Sequence, residues 1–261
     1  MRTAESRPDA GKSAGRRRSR TSRFFTELMI VVVGALIVST LLRTFVGQLF
    51  IIPSGSMENT LQIEDRVAVQ KITDFQRGDV VVFADPGGWL GSSGEGTEDD
   101  GPITQGLEFI GLVPGSDYLI KRVIGMPGDR VVCCDKLNRL TVNGVALDET
   151  RYLYTSPDGQ QDEPSDLEFD VTVPEGRIFV MGDHRSASAD SRCHLSDTSL
   201  TGPEGSVAFV PIDNVVGPAF AIVMPLSRLS TVQRPPIFDL VPEPSEPPPT
   251  EAVIKPEGVT C

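Results

Sequence analysis

The sequence predicts a mainly β protein, built of antiparallel sheets behind one N-terminal transmembrane helix. Three observations predict this class: an apolar run near the N-terminus, a series of short segments rich in branched residues, and turn signals between those segments. With the tails and the apolar run set aside, the chain of 261 residues leaves one or two soluble domains with room for a sizeable core.

The predicted transmembrane helix, a retained signal-anchor, covers residues 24–45. Phe24 to Leu42 would span roughly 28 Å at about 1.5 Å per residue, and Leu28 to Leu42 carries no charge. A cleaved secretory signal is the competing interpretation, but no convincing small-x-small cleavage site follows Leu42.

The charges around this run predict its orientation. Arginines crowd its N-terminal flank: Arg16, Arg17, Arg18, Arg20 and Arg23. Residues 1–23 are therefore expected to form a disordered cytoplasmic tail, and the domain after the helix to lie outside the cytoplasm, anchored in the cell membrane. The first 23 residues carry a net charge of +6, which leaves −18 for the rest of the chain. Such an acidic exported part is not expected to bind nucleic acid, whereas the basic tail can contact membrane lipid.

The predicted β domain covers residues 46–230. Its predicted strands are Arg66–Val69, Asp79–Phe83, Tyr118–Ile124, Leu140–Asn143, Glu168–Thr172 and Arg177–Met181. Turn signals lie at Arg77-Gly78-Asp79, Pro127-Gly128-Asp129 and Asn143-Gly144. Short strands with such turns are typical of a sandwich or partly closed barrel. Residues 84–117 read as a long surface loop whose apolar piece could form a hairpin, a partner site or a membrane-dipping element. Residues 231–261, rich in Pro and Glu, are predicted to be disordered.

Four cysteines in a chain facing an oxidising compartment make one disulfide plausible. The predicted pair is Cys193 with Cys133 or Cys134, and four free thiols are the alternative. The Cys and His spacing does not resemble a zinc site.

Ser56 lies in a cluster of small residues, Pro53-Ser54-Gly55-Ser56-Met57, shortly after the apolar run. A serine hydroxyl becomes a good nucleophile only when a neighbouring base takes its proton. His184 and His194 are candidate bases, with loop or surface roles as the alternative. Lys121 is a further candidate, because it lies in an apolar strand and burial favours a neutral amine.

Three segments occur in order behind the anchor. They are Pro53 to Leu61, Tyr118 to Asp129 and Gly182 to Arg192, the last reading Gly182-Asp183-His184-Arg185-Ser186-Ala187-Ser188-Ala189-Asp190-Ser191-Arg192. This set resembles the bacterial type I signal peptidases, and the resemblance covers the anchor and most of residues 51–224. It implies an all-β peptidase with a smaller inserted β region at about residues 132–174, which uses a Ser/Lys pair and needs no cofactor and no metal.

Several site roles follow from this resemblance. Ser56 matches the nucleophile and Lys121 the general base. Ser54 matches the oxyanion-stabilising hydroxyl, and Ser188 matches the serine that orients the lysine. Residues in supporting structural positions are Gly182, Asp183, Asp190 and Arg192, and Asp190 with Arg192 could form an ion pair. Ile52, Pro53 and Val123 are candidate substrate-lining residues, with core packing as their alternative. The family commonly has proline at the position of Asn59 and often asparagine at that of His184.

The expected function is a membrane-bound serine endopeptidase that removes signal peptides from exported preproteins. Its expected partners are those preproteins, membrane lipid and the secretion translocon, for a monomeric enzyme. One rival hypothesis is a membrane-anchored β domain that binds partners without catalysis. Another is a self-cleaving Ser/Lys regulator of the related repressor type, which the anchor argues against.

Overall fold

The computed structural model of the protein describes residues 20–45, 47–90, 118–198, 202–256, 258 and 261. Residues 1–19 of the predicted basic tail and most of the predicted loop 84–117 lie outside them. The α-helix in these residues, α1, spans Arg20–Phe45. The strands are β1 (Gln48–Ile51), β2 (Arg66–Val69), β3 (Val80–Ala84), β4 (Tyr118–Gly125), β5 (Arg130–Cys133), β6 (Thr141–Val142), β7 (Val145–Ala146), β8 (Phe169–Thr172), β9 (Arg177–Met181), β10 (Val210–Pro211), β11 (Val215–Met224), β12 (Ser230–Thr231) and β13 (Val253–Lys255). Short 3-10 helices lie at Arg185–Ala187, Ser191–His194, Ser206–Ala208, Ile212–Asn214, Leu226–Arg228 and Pro236–Leu240.

The helix α1 covers the apolar run for which a transmembrane helix is predicted. In the part of the chain that the structure describes, no helix has the length together with the apolarity of a candidate membrane span. The transmembrane prediction is therefore not confirmed. The described residues divide between Thr44 and Phe45 into two compact units, the second of which is the β domain.

The first sheet of the β domain has the strand order β1-β2-β11-β3-β4-β9-β10, with β12 paired to β11. Every pairing in it is antiparallel. Four predicted segments form its strands β2, β3, β4 and β9. The prediction of a mainly β protein built of antiparallel sheets is confirmed.

The longest strand, β11, is absent from the prediction because Gly217 and Pro218 interrupt its branched residues. A Cβ atom at Gly217 would lie 1.9 Å from the carbonyl oxygen of Gln70, so only glycine permits this close approach of two backbones. The register of β11 against β3 shifts between Val215 and Gly217. Gly217 therefore lies at an irregularity inside a central strand.

The second sheet has the order β13-β8-β5-β6-β7. Its strands β6, β7 and β8 lie in the stretch for which an inserted β region is expected. The Asn143-Gly144 hairpin signal joins β6 to β7, and both residues have positive φ, at 49° and 81°.

The prediction of a disordered tail over residues 231–261 is wrong for residues 231–256. Phe238 is buried, and its ring lies where a Cβ atom on Gly78 would be. Strand β13 pairs with β8, and Glu243 forms an ion pair with Arg77 at 3.0 Å. Pro and Glu dominate the composition of this tail, but its few apolar residues reach the core and its backbone completes a sheet. These tertiary contacts supply the order that composition does not predict.

The predicted disulfide is also wrong. The structure joins Cys193 to Cys261, and it joins the neighbours Cys133 and Cys134. Strand β13 pairs with β8 and so brings residues 253–255 back to the body of the domain before Cys261.

Strand β4 lies inside the first sheet, between β3 and β9. Its adjacent residues Lys121 and Arg122 point to opposite faces of the sheet, and their exposed fractions are only 3% and 1%. The sequence predicts that one of these two cations faces inward or sits on an edge. Both are internal, because each face of this strand is covered by the rest of the domain.

Candidate active site

The loop that follows β1 presents Ser56 on a tight helical turn. The Leu61 backbone N–H donates to the Met57 carbonyl at 2.8 Å, and the Glu58 N–H donates to the Gly55 carbonyl at 2.9 Å. Met57 and Leu61 are fully buried in one apolar cluster. Core packing therefore fixes the turn, and Ser56 itself is 5% exposed.

Lys121 reaches the same point from β4. Its Nζ atom lies 2.6 Å from the Ser56 Oγ. Burial lowers the pKa of Lys121 to about 8, against an upward influence of the Asp190 and Asp183 carboxylates. The structure thus joins a serine hydroxyl to an amine whose pKa is lowered to about 8. This arrangement can activate the hydroxyl for nucleophilic attack.

Ser54 lies beside this pair, with its Oγ 3.4 Å from the Ser56 Oγ, which is long for an O–H···O hydrogen bond. Ser188 is buried against Gly182. Its hydroxyl helps to lower the pKa of Asp190, yet in the described residues it has no hydrogen-bond partner of regular geometry. Its expected role towards the Lys121 amine stays a prediction.

The Gly182-to-Arg192 segment packs against the backbone of Ser56. The Asp190 carboxylate accepts from the Gly182 N–H at 2.9 Å and from Arg192 Nε at 2.9 Å, so the predicted ion pair is present. Burial alone would raise the pKa of Asp190, but the Arg192 guanidinium holds it below its usual value. A Cβ atom on Gly182 would lie 2.5 Å from the Ser56 carbonyl oxygen. Glycine is therefore required for the close approach of these two segments.

Asp183 links three parts of the fold. Its carboxylate accepts from Arg122 Nε at 2.8 Å and Nη2 at 2.6 Å, and from the Thr60 hydroxyl. Arg122 also donates to the Gly78 carbonyl at 2.7 Å and lies over the Tyr152 ring at 4.5 Å from its centroid. This network connects the far face of β4 to the end of the Ser56 turn.

The two histidines hold other positions. Nδ1 of His184 lies 3.2 Å from the Gly55 carbonyl oxygen and 3.1 Å from Glu58 Oε2. His194 stacks on Trp89, with 4.6 Å between ring centroids, and its Nδ1 pairs with Asp197. The hydrogen-bond partner of the Ser56 hydroxyl in β4 is Lys121.

Two of the three predicted substrate-lining residues are core residues. Ile52 packs with Met57 and Leu61, and Val123 is fully buried in a separate cluster. Both side chains are buried, which agrees with the core-packing alternative for these two residues. Pro53 is exposed.

Sequence reasoning missed Glu58, Thr60, Arg122 and Tyr154 as parts of this site. Arg122 carries a detectable signal, since a cation in an apolar strand needs a buried anion. Glu58 and His184 are 126 residues apart, and no local pattern joins them.

Comparison with known proteins gives the family. Residues 25–224 match the family described as "Signal peptidase, peptidase S26". The chain is 37% identical over 230 residues to a signal peptidase I of Mycobacterium tuberculosis, covering 79% of this chain and 75% of the relative. It is 33% identical over 237 residues to the signal peptidase I of Pseudomonas aeruginosa, covering 77% and 70%. A crystal structure of a signal peptidase I from Enterococcus faecalis covers 56% of this chain and 97% of that one at 24% identity, with a TM-score of 0.33 that supports no further argument. On the family match and the relatives of more than 30% identity, the chain belongs to the signal peptidase family, peptidase S26.

Proposed function

We propose that the protein removes signal peptides from exported preproteins, with Ser56 as nucleophile and the neutral amine of Lys121 as general base. Membership of the signal peptidase family supports a serine-type peptidase that acts on preproteins bearing signal peptides. The observation that carries the finer proposal is the 2.6 Å approach of Lys121 Nζ to Ser56 Oγ in a buried setting.

The proposed reaction begins with transfer of the Ser56 proton to the Lys121 amine while Oγ attacks the scissile carbonyl carbon. The Ser54 hydroxyl and the Ser56 backbone N–H donate to the oxyanion of the tetrahedral intermediate. The Lys121 ammonium then returns its proton to the leaving amine as the peptide bond breaks. A water molecule hydrolyses the resulting ester, with Lys121 again acting as base.

The electrostatics around Lys121 suit this cycle. Burial keeps the amine able to lose its proton, whereas Asp190 and Asp183 pull the pKa upward and so stabilise the ammonium that forms during attack. An amine buried without such carboxylates would accept the proton less readily. The substrate is expected to be an extended segment with small side chains at the first and third positions before the cut.

The pH dependence of cleavage tests the base. Because only the neutral amine accepts a proton, kcat/KM is expected to rise about tenfold per pH unit below pH 8 and to level off above it. The measurement is cleavage of a synthetic preprotein peptide from pH 5 to pH 10. A rise centred near pH 6.5, the usual range of histidine, would contradict Lys121 as the base.

The proposal includes a single-pass anchor in the cell membrane, with α1 as the signal-anchor, the N-terminus cytoplasmic and the β domain outside. The charge-free stretch Leu28 to Leu42 supports the span, and the arginine-rich flank supports the orientation. In this place a monomer would meet its preproteins as they leave the translocon, beside the lipid headgroups.

The anchor has its own test. After alkaline carbonate extraction the full chain is expected to stay with the membrane fraction, and protease added to intact spheroplasts should remove a C-terminal tag but spare an N-terminal one. Recovery of the chain in the carbonate supernatant, or loss of the N-terminal tag first, would contradict the anchor and its orientation.

A further inference from the structure

We infer that His184 is a positioning residue that fixes the direction of the Ser56 backbone N–H, the main-chain donor of the proposed oxyanion site. The inference rests on the proposed function. It concerns the contacts of the His184 imidazole with Gly55 and with Glu58, which lies 126 residues away in the chain.

The peptide unit between Gly55 and Ser56 contains the Gly55 carbonyl and the Ser56 N–H. In a planar trans peptide the carbonyl oxygen and the N–H point in opposite directions, so holding one fixes the other. The Gly55 carbonyl oxygen accepts from the Glu58 N–H at 2.9 Å and lies 3.2 Å from His184 Nδ1. A glycine restrains its own peptide unit only weakly. The orientation of this unit therefore depends on the contacts that Glu58 and His184 make with the Gly55 carbonyl.

His184 also holds the next peptide unit. Its backbone N–H donates to the Ser56 carbonyl oxygen at 3.1 Å. The side chain of His184 thus contacts the unit before Ser56, and its main chain contacts the unit after it. A displacement of His184 would turn both units that set the orientation of the nucleophile and its N–H.

The partners of the imidazole define its tautomer. The Gly55 carbonyl and the Glu58 carboxylate are both acceptors, so Nδ1 must carry a hydrogen. The ring is held in place by Tyr154, which stacks on it with 3.7 Å between centroids. Glu58 can approach because residue 55 has no side chain: a Cβ atom there would lie 3.0 Å from the Glu58 carboxyl carbon.

Two substitutions separate the hydrogen bond from the ring stack. His184→Phe keeps a ring against Tyr154 and removes the donor, whereas His184→Asn keeps a donor near the Nδ1 position and removes the ring. His194→Phe is the matched control, since His194 also stacks on an aromatic ring and pairs through Nδ1 with an acidic residue. Steady-state cleavage of one preprotein peptide gives kcat and KM for each variant.

An oxyanion donor contributes about 10² to 10³-fold to kcat. A donor that points away from the oxyanion should lose part of this contribution. We expect His184→Phe to lower kcat about 10- to 100-fold with KM within about twofold, because the donor acts mainly in the transition state. His184→Asn should stay within about threefold of the wild type, and His194→Phe within about twofold. A peptide aldehyde, whose hemiacetal oxygen occupies the oxyanion position, should bind His184→Phe weaker by a similar factor.

The outcomes separate the two proposals. Equal kcat for His184→Phe and the wild type, or equal losses for His184→Phe and His184→Asn, would overturn the positioning role while leaving the peptidase intact. Absence of cleavage by the wild type would instead contradict the proposed function. Thermal unfolding checks that each variant is folded, and if His184→Phe does not fold, His184→Leu takes its place as the variant without a donor.

Discussion

Replacing Ser56 or Lys121 by alanine is expected to abolish preprotein processing while the protein stays folded. Ser56→Ala removes the atom that forms the ester, and Lys121→Ala removes the base 2.6 Å from it. In serine peptidases the loss of nucleophile or base lowers kcat by about 10⁴-fold or more. The measurement is the rate of appearance of mature protein from a purified preprotein, with the cut site mapped by mass spectrometry.

Two further variants make this experiment decisive. Lys121→Met keeps nearly the full volume of the side chain without an amine, so its loss of activity cannot be attributed to a cavity in the core. Lys136→Ala changes an exposed lysine in a turn of the second sheet and should leave the rate unchanged. Normal processing by Ser56→Ala or by Lys121→Met would favour the rival hypothesis of a non-catalytic binding domain.

The largest effect on stability is expected from Asp183→Ala. It would leave the Arg122 guanidinium, which is 1% exposed, without its anion and without two hydrogen bonds. Breaking a buried ion pair on one side costs about 3–5 kcal/mol. Urea unfolding followed by circular dichroism measures the change in the free energy of unfolding. Because Thr60 loses the same partner, the Ser56 turn is expected to loosen and cleavage to slow as well.

Asp170→Ala is the matched control for this loss. Asp170 also accepts two hydrogen bonds from one arginine, Arg130, at 2.8 and 2.5 Å, but that arginine is 63% exposed. An ion pair of this exposure contributes about 0–1 kcal/mol. Similar losses for Asp183→Ala and Asp170→Ala would show that burial does not set the contribution of the Arg122–Asp183 pair.

Local sequence patterns predict those parts of the fold whose backbone conformation depends on neighbouring residues. Short runs rich in branched residues identify β2 and β9, and Asn143-Gly144 identifies the turn between β6 and β7. The same reasoning misses β11, since Gly217 is needed for a backbone approach that only the folded sheet creates. It also misses β13, whose partner β8 lies about eighty residues earlier in the chain.

The candidate site also contains residues that the sequence identifies and residues that only folding brings together. Ser56 and Lys121 stand out because a clustered serine and a lysine in an apolar strand each carry a chemical signal, and the resemblance of three segments joins them. Glu58 and Tyr154 carry no such signal, and the contacts that each makes with His184 join chain segments that meet only after folding. Val123, a candidate substrate-lining residue, is buried in the core, which the sequence does not reveal because exposure is a property of the packed sheet.

By itself the sequence determined the β class, the order of the motif segments and the serine and lysine of the candidate site, since these depend on residue type and short-range spacing. Only the tertiary structure decided the burial of both Lys121 and Arg122, the pairing of Cys193 with Cys261, the pairing of β13 with β8 and the contacts that hold the Gly55–Ser56 peptide unit. The physical reason is sequence separation. Each of these features is stabilised by contacts between groups far apart in the chain, and those contacts form only once the sheets have packed.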